Sequence, residues 1–387
     1  MDIETRMSDL SVRIFQKAIE DTSGNALISP VAAIAALATM FPGADGNTRE
    51  QLEEKLGISY DDTQRLLERI LRNRKLDEID DLDTFARMLP SLRIEKSYAD
   101  LATALWMNDL PGLAFNEDLI QDIAADENRE VFQTGDVDKA CQQINDWCCE
   151  KTLGKVPQFV NHISPNEVMR LVNALTFDGK WATPYKDEDV YVRPFTNQHG
   201  GPQDTLFMHS EEDTYLCGFN ATGFIKHYSG WKYAFAALLP NEGTTLREFI
   251  SSLDYLKLSR LLGRTFDGKV LTAIPKFTTE RDIDLKAIFQ DLGVTDAFST
   301  TKADFSKLYH SDDPDCNFYL DHFHQKTLID VNERGTQAIA MTSLETLCLT
   351  SEIEPEQYKV YLDRPFLYMI IERHTGIPLF MGTVEEL

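Results

Sequence analysis

The run Asp-His-Phe-His at residues 321–324 contains the two side chains that could begin a metal site. Its imidazoles are two residues apart, so in a β-strand both rings would lie on one face. A protein zinc site needs at least a third ligand, and the sequence places none nearby, so we interpret the pair as surface histidines. The acidic run Asp-Asp-Pro-Asp at 312–315 lacks the glycine and terminal glutamate of a calcium loop, which favours a solvated turn. We therefore predict no metal and no cofactor.

Sequence signatures of the common enzyme classes are absent from the chain. It has no G-x-S-x-G nucleophile elbow, no phosphate-binding G-x-x-x-x-G-K-[ST], no dinucleotide-type G-x-G-x-x-G after a strand and no H-E-x-x-H. The six cysteines contain no C-x-x-C, and two of them, Cys148 and Cys149, are adjacent, which suits neither a zinc knuckle nor an intrachain bridge. We interpret all six cysteines as reduced thiols and predict that the protein is not an enzyme.

The charge balance excludes some classes of partner. The chain has 63 acidic against 38 basic residues, a formal charge of −25, which would repel nucleic acid and anionic membranes. The local basic cluster of Arg69, Arg72, Arg74 and Lys75 could meet a sulfated polymer, but its acidic neighbours favour a solvent-facing helix end. We therefore expect no nucleic-acid, membrane or glycosaminoglycan partner, and a monomer.

The amino terminus and the longest uncharged stretch bear on location. Met-Asp-Ile-Glu lacks the basic and apolar regions of a signal peptide, so we expect either a cytoplasmic protein or an extracellular one whose signal has been removed. Residues 22–44 are uncharged but contain Gly24, Pro30 and Pro42, and the apolar centre spans only residues 31–41. This length predicts a buried helix and no membrane span.

Periodicity changes along the chain from helical to extended. Apolar residues at helical spacing, a Ser29-Pro30 start signal, a capping-box pattern at 48–51 and a stop at Gly57 predict a mostly helical first 160 residues. Apolar runs of strand length follow at 169–177, 233–239, 270–274 and 366–371, with helical patterns at 246–256 and 285–292. This order predicts an α+β fold whose sheet is covered on both faces. Length alone, at roughly 150 residues per domain, suggests two or three domains.

Residues 333–351 form the least ordinary segment. Between Gly335 and Leu344 it has no charge and no proline, and small residues alternate at Thr336, Ala338, Ala340 and Thr342. In a strand these four share one face, which could pass between two existing strands. The segment is either a hairpin arm or a stretch with two possible states, and spacing alone favours the hairpin arm.

Short motifs in a fixed order resemble the serpin family of protease inhibitors across almost the whole chain. They include Asn-Ala-Leu-Ile-Ser-Pro at 25–30, Ala-Leu-Trp at 104–106, the run from Leu171 to Trp181, Leu-Pro-Asn-Glu-Gly at 239–243, Ile-Pro-Lys-Phe at 274–277, Asp-Arg-Pro-Phe at 363–366 and Pro-Leu-Phe-Met-Gly at 378–382. The resemblance implies one domain over residues 1–387. Its fold would be α+β, with amino-terminal helices on a large mixed central sheet, smaller sheets and an exposed reactive-centre loop at about 333–357.

The resemblance also implies a function for the alternating segment. In serpins a protease cleaves this loop, which then inserts into the main sheet while the acyl-enzyme is trapped. The hinge, residues 333–342, must accept insertion, and the positions that match the family pattern are Glu333, Gly335, Thr336, Ala338, Ala340 and Thr342. Ile339 and Met341 depart from the small-residue pattern but lie on the other face. The resemblance favours an inhibitor, and the alternative is a non-inhibitory binding or carrier protein that proteases merely cleave.

Four residues match or replace the family's control points for sheet opening. Ser29 and Asn173 match the polar group under the main sheet, and Trp181 matches the aromatic residue at the point of first insertion. The family's usual histidine before the hinge is Gln325 here, so we expect no histidine-type pH switch at this point.

The position of the bait bond follows from counting along the hinge. The 17th residue counted from Glu333 is Leu349, which puts the scissile bond at Leu349–Thr350, with Cys348 and Thr350 as the next choices for the primary residue. Leucine suits the apolar pockets of chymotrypsin-, elastase- or subtilisin-like serine proteases, whereas trypsin-like enzymes require a cation. Neither Arg nor Lys occurs between Gly335 and Gln357. We therefore predict targets with apolar primary specificity.

Overall fold

The architecture comes from a computed structural model, which describes residues 2–20, 22–71, 97–125, 129–263, 265–313, 316–336 and 357–387. The helices, α1 to α9 in chain order, are Ile3–Glu20, Pro30–Ala38, Gly46–Leu56, Tyr60–Leu71, Glu117–Ala124, Val137–Lys151, Leu246–Ser252, Tyr255–Gly263 and Leu285–Asp291. The strands, β1 to β17, are Leu27–Ile28, Tyr98–Met107, Leu113–Phe115, Arg129–Gln133, Met169–Lys180, Val190–Thr196, Pro202–Gly218, Ala221–His227, Tyr233–Pro240, Thr265–Pro275, Phe277–Asp284, Tyr309–Ser311, His322–Asn332, Gly335–Thr336, Gln357–Tyr361, Phe366–Glu372 and Pro378–Val384. This order confirms the α+β class.

Local signals set several helix ends as the sequence predicts. The Ser29 side chain caps α2 by accepting a hydrogen bond from the amide of Ala32, and Pro30 is the first helical residue. Gly57 ends α3 in the left-handed conformation, at φ 64°. The capping-box prediction at 48–51 was wrong, because α3 begins at Gly46. The Thr48 hydroxyl instead accepts a hydrogen bond from the amide of Asp304, a partner that local sequence cannot reveal.

One further expectation was wrong, and another was incomplete. The single helix predicted at 246–256 is two helices, α7 and α8, because Leu253 between them is extended at ψ 138° and its carbonyl accepts a hydrogen bond from Gln16. The described part of the first 160 residues is mostly helical, as predicted, but it also contains β2, a ten-residue strand. Its apolar residues are buried on both faces, and such a run has no period that distinguishes a strand from a helix.

The strands form two large sheets and one small one. The central sheet has the order β11-β13-β14-β5-β2-β4, with parallel β13–β5 and β2–β4 pairs among antiparallel ones, so it is mixed as predicted. A nine-stranded sheet has the order β1-β17-β16-β9-β8-β7-β10-β15, with β6 paired to β7. Strands β3 and β12 form the small sheet. Strand β13, before the predicted hinge, therefore belongs to the central sheet, whereas β15, after the predicted loop, belongs to the nine-stranded sheet.

Both faces of the central sheet are covered. On one face α6 packs Ile144 and Trp147 against β2 and β5, with Cys148 as a buried free thiol whose pKa is raised by burial to about 12. Elsewhere one hydrophobic cluster runs from Met7 in α1 to Val384 in β17 and includes every residue of α2 after Pro30. Among the described residues, no helix is both long enough and apolar enough to cross a bilayer.

Candidate functional site

The central sheet contains a gap between its two middle strands. Strands β5 and β13 pair directly at only four positions, from Arg170 with His322 to Asn173 with Gln325. Beyond these, residues 174–178 pair outward with β2 and residues 326–330 pair outward with β11, so their facing edges form no ladder with each other in the described part of the chain. We call this space the gap. Its far end is occupied by the two-residue strand β14, which pairs antiparallel with both neighbours.

Two of the predicted hinge residues, Gly335 and Thr336, lie in the sheet. Thr336 is 2% exposed, and its hydroxyl lies 2.5 Å from the hydroxyl of Tyr228. At Gly335 a Cβ atom would lie 2.0 Å from the carbonyl oxygen of Gly179, so only glycine fits. The other predicted hinge and bait residues, Ala338, Ala340, Thr342, Leu349 and Thr350, lie outside the described residues, as does Cys348.

Glu333 is held beside the gap by charge and by its backbone. Its carboxylate forms an ion pair with Lys276 at 2.5 Å, and this contact lowers the pKa of Glu333. The carbonyl of Glu333 accepts a hydrogen bond from the amide of Tyr185, and the next carbonyl, of Arg334, accepts one from the amide of Trp181. The turn that leads into β14 is therefore attached to the residues that follow β5.

Trp181 connects this turn to the buried threonine. Its indole nitrogen donates a hydrogen bond to the carbonyl of Asn332 at 2.9 Å, and its ring stacks on Tyr228 with centroids 4.6 Å apart. Sequence reasoning identified Trp181 but missed Tyr228, Tyr185 and Lys226. A signal existed for Lys226, because a lysine within the apolar run Gly-Phe-Ile-Lys at 223–226 predicts a buried charge with a partner.

The structure brings Ser29, Asn173 and Gln325 together under the paired end of the strands. All three are fully buried. The Gln325 side chain accepts a hydrogen bond from the amide of Ser29 at 2.7 Å and donates to its carbonyl and to Asn173 Oδ1. Asn173 donates in turn to Thr103 on β2. This network joins the cap of α2 to both strands and contains no ionisable group.

The histidine pair on β13 has separate carboxylate partners. His322 Nε2 lies 3.6 Å from Glu167, which also forms a two-pronged ion pair with Arg170, and His324 Nδ1 lies 3.3 Å from Asp282. The two ring centroids are 5.9 Å apart. Among the described residues, no group of three potential ligands converges on one point.

The buried side chain of His227, next to Tyr228, should make the folded protein less stable in acid. Burial, with Arg373 as the next contribution, lowers its pKa to about 4 from 6.5, and its Nδ1 has no hydrogen-bond partner among the described residues. Between these pH values the unfolded chain binds a proton at this position that the folded chain does not. We expect stability to fall as the pH drops from about 6.5 to about 4, by up to roughly 3 kcal/mol from this residue alone.

Urea unfolding at pH 7.5 and pH 4.5 measures this loss. His227→Phe should lose about 2 kcal/mol less than the wild type between the two pH values. His310→Gln is the matched control, because the His310 side chain is 82% exposed, and it should behave as the wild type. An equal acid loss in His227→Phe and the wild type would contradict the assignment.

Comparisons with known proteins extend along nearly the whole chain. The family model described as Serpin (serine protease inhibitor) matches residues 5–387. Plasminogen activator inhibitor 1 of Sus scrofa is 26% identical over 402 residues, which cover 98% of this chain and 91% of that protein. The native-state crystal structure of the thermophilic serpin Tengpin matches with a TM-score of 0.86 at 34% identity, covering 100% of this chain and 95% of that one. The complex of thyroxine-binding globulin with thyroxine matches with a TM-score of 0.78 at 25% identity, covering 99% of both chains.

Proposed function

The chain belongs to the serpin family, and from this premise we propose that it inhibits serine proteases as a suicide substrate. The catalytic serine of the protease attacks the carbonyl carbon of Leu349. The Leu349–Thr350 bond breaks, an ester forms between Leu349 and the serine, and the proton from the serine passes through the protease histidine to the new amino group of Thr350. The protein supplies no catalytic residue, because the nucleophile belongs to its target.

The observation that carries the proposal is the buried Thr336 in line with the gap. Strand β14 pairs Thr336 with Gly179 on one side and with Val331 on the other. If this register continues after cleavage, Ala338 lies between Phe177 and Ile329. Thr342 then lies between Asn173 and Gln325. Insertion would therefore separate the last two residues and replace their hydrogen bond.

The pattern of side chains agrees with this register. Residues of β13 alternate between half-buried and buried, and Gln325, Thr327, Ile329 and Val331 are on the buried side. Thr336 shares that side, and Ala338, Ala340 and Thr342 would follow it by the period of two. Ile339 and Met341 would face the opposite side, towards α6. In this register the small side chains would all lie on the buried side of the sheet, where there is least space for a side chain.

The proposed targets are serine proteases with apolar primary pockets of the chymotrypsin, elastase or subtilisin type. The support is Leu349 itself and the absence of Arg and Lys from 336–356. A trypsin-like enzyme places an aspartate at the base of its pocket and requires a cation there.

A second candidate function is binding or carriage of a small molecule without inhibition. The similar thyroxine-binding globulin was solved in complex with thyroxine, so this fold also includes a binding protein. The two candidates differ in the outcome of cleavage, because a binding protein is cut and releases an active protease.

Incubation with chymotrypsin or elastase, followed by a denaturing gel, tests the proposal. We expect a covalent complex that survives denaturation and a released fragment, Thr350–Leu387, of 38 residues whose intact mass identifies the bond. A protease with its serine blocked is the control and should form no complex. Cleavage with full protease activity afterwards would refute inhibition.

A further inference from the structure

A buried ion pair lies behind the residues that hold the hinge. Lys226 Nζ on β8 is 2.7 Å from Glu212 Oε1 on β7, and the two side chains are 2% and 11% exposed. The Ser210 hydroxyl donates to the same carboxylate oxygen at 2.5 Å and also lies 2.9 Å from the Thr272 hydroxyl. Desolvating two charges is unfavourable, and well-packed apolar residues often replace such a pair without loss of stability. Stability alone therefore does not explain these residues.

The ammonium group of Lys226 also faces two aromatic rings. Its Nζ lies 4.4 Å from the ring centroid of Tyr185 and 5.4 Å from that of Trp181, both within the range of a cation–π contact. Both rings are buried, where such contacts are strongest. Burial and the charge of Glu212 raise the pKa of Tyr185, so the phenol is neutral. Glu212 thus holds the ammonium group, and the ammonium group contacts the rings.

The same two aromatic residues carry the groups that bind the start of the hinge. The amides of Tyr185 and Trp181 donate to the carbonyls of Glu333 and Arg334, and the Trp181 indole donates to Asn332. Trp181 also stacks on Tyr228, which contacts the Thr336 hydroxyl. A continuous set of contacts therefore connects Lys226 to residues 332–336.

We propose that Lys226 is a positioning residue for the hinge. Its ammonium group, held by Glu212, fixes the Trp181 and Tyr185 side chains so that residues 332–336 stay in the sheet and Gly335 and Thr336 can lead insertion. The effect on inhibition rests on the proposed function, whereas the occupancy of the sheet by β14 can be measured without any protease.

Amide hydrogen exchange in the intact protein, read by mass spectrometry on peptides that cover residues 332–336, measures that occupancy. Lys226→Met removes the cation, and Glu212→Leu/Lys226→Met removes both charges while retaining apolar packing. We expect exchange at residues 334–336 to rise about tenfold in both variants, the size expected for loss of a desolvated cation–π contact. Lys269→Met is the matched control, since Lys269 forms an exposed ion pair with Glu211 on the neighbouring strands, and it should stay within about twofold of the wild type.

The double variant distinguishes positioning from a purely structural role. If the ion pair only avoids an isolated buried charge, removing both charges restores wild-type exchange at the hinge, and that result would overturn the proposal. The double variant also covers the case in which Lys226→Met alone unfolds.

The number of inhibitor molecules consumed per protease should rise in the same variants. A tenfold rise in exchange in a protein that inhibits no protease would uphold the role of Lys226 and refute the proposed function.

Discussion

Thr336→Arg should convert the protein from an inhibitor into a substrate. Thr336 is 2% exposed and contacts the Tyr228 hydroxyl, and the buried Lys226 ammonium group lies beyond the adjacent Trp181 ring. Burying a guanidinium group there without a paired carboxylate would cost several kcal/mol. The hinge would therefore stay out of the sheet, insertion would stall, and the ester would hydrolyse. On a denaturing gel we expect the covalent complex to fall at least about tenfold, with recovery of protease activity.

Two controls isolate the effect of burial. Thr301→Arg makes the same substitution at an exposed turn and should inhibit as the wild type does. Thr336→Ser retains the hydroxyl group and should remain an inhibitor. Thermal unfolding of Thr336→Arg should be close to that of the wild type, because only a two-residue strand leaves the sheet. Full inhibition by a folded Thr336→Arg would contradict the role assigned to the hinge.

Leu349→Arg should redirect the inhibitor from chymotrypsin-like to trypsin-like proteases. The primary pocket of a trypsin-like enzyme pairs its aspartate with a cation, whereas an apolar pocket must desolvate that cation without a partner. We expect the rate of complex formation with chymotrypsin to fall by roughly 100-fold or more, and complex formation with trypsin to appear. Complex formation is measured as the second-order rate constant of protease inactivation.

The same experiment tests the register of the loop. Leu349→Met preserves an apolar side chain of similar volume and should retain chymotrypsin inhibition. Cys348→Arg and Thr350→Arg place the cation one residue away on either side and should not produce a trypsin inhibitor. If one of them does so while Leu349→Arg does not, the bait bond lies one residue from the predicted position.

Some elements could be predicted because their signals are local. The Ser29 cap, the stop at Gly57 and the apolar strands β5, β9 and β16 follow from residue type and spacing within short windows. The role of Thr48 was predicted wrongly and β2 was not predicted, because distant partners determine both. The hydroxyl group of Thr48 accepts a hydrogen bond from the amide of Asp304, more than 250 residues away. Strand β2 forms because it pairs with β5 and β4.

The candidate site divides in the same way. Alternating small residues predicted that the segment from Thr336 to Thr342 could fit between strands, and the ordered motifs pointed to Ser29, Asn173 and Trp181. The sequence could indicate a buried Lys226 but not its partner, because Glu212 is 14 residues away on a neighbouring strand of the other sheet. Only the register of β7 against β8 brings them behind Trp181.

The gap has a consequence for how the protein must be handled. Within the part of the chain that the structure describes, its two facing edges form no ladder with each other, so their backbone donors and acceptors could pair with an extended segment, as the outer edge of any sheet can. In the proposed mechanism the chain's own loop is one such segment, and the loop of a second copy is chemically identical to it. We therefore expect warming to favour association between copies, at a rate that rises with protein concentration. On this expectation, the working life of a purified stock depends on temperature and concentration together.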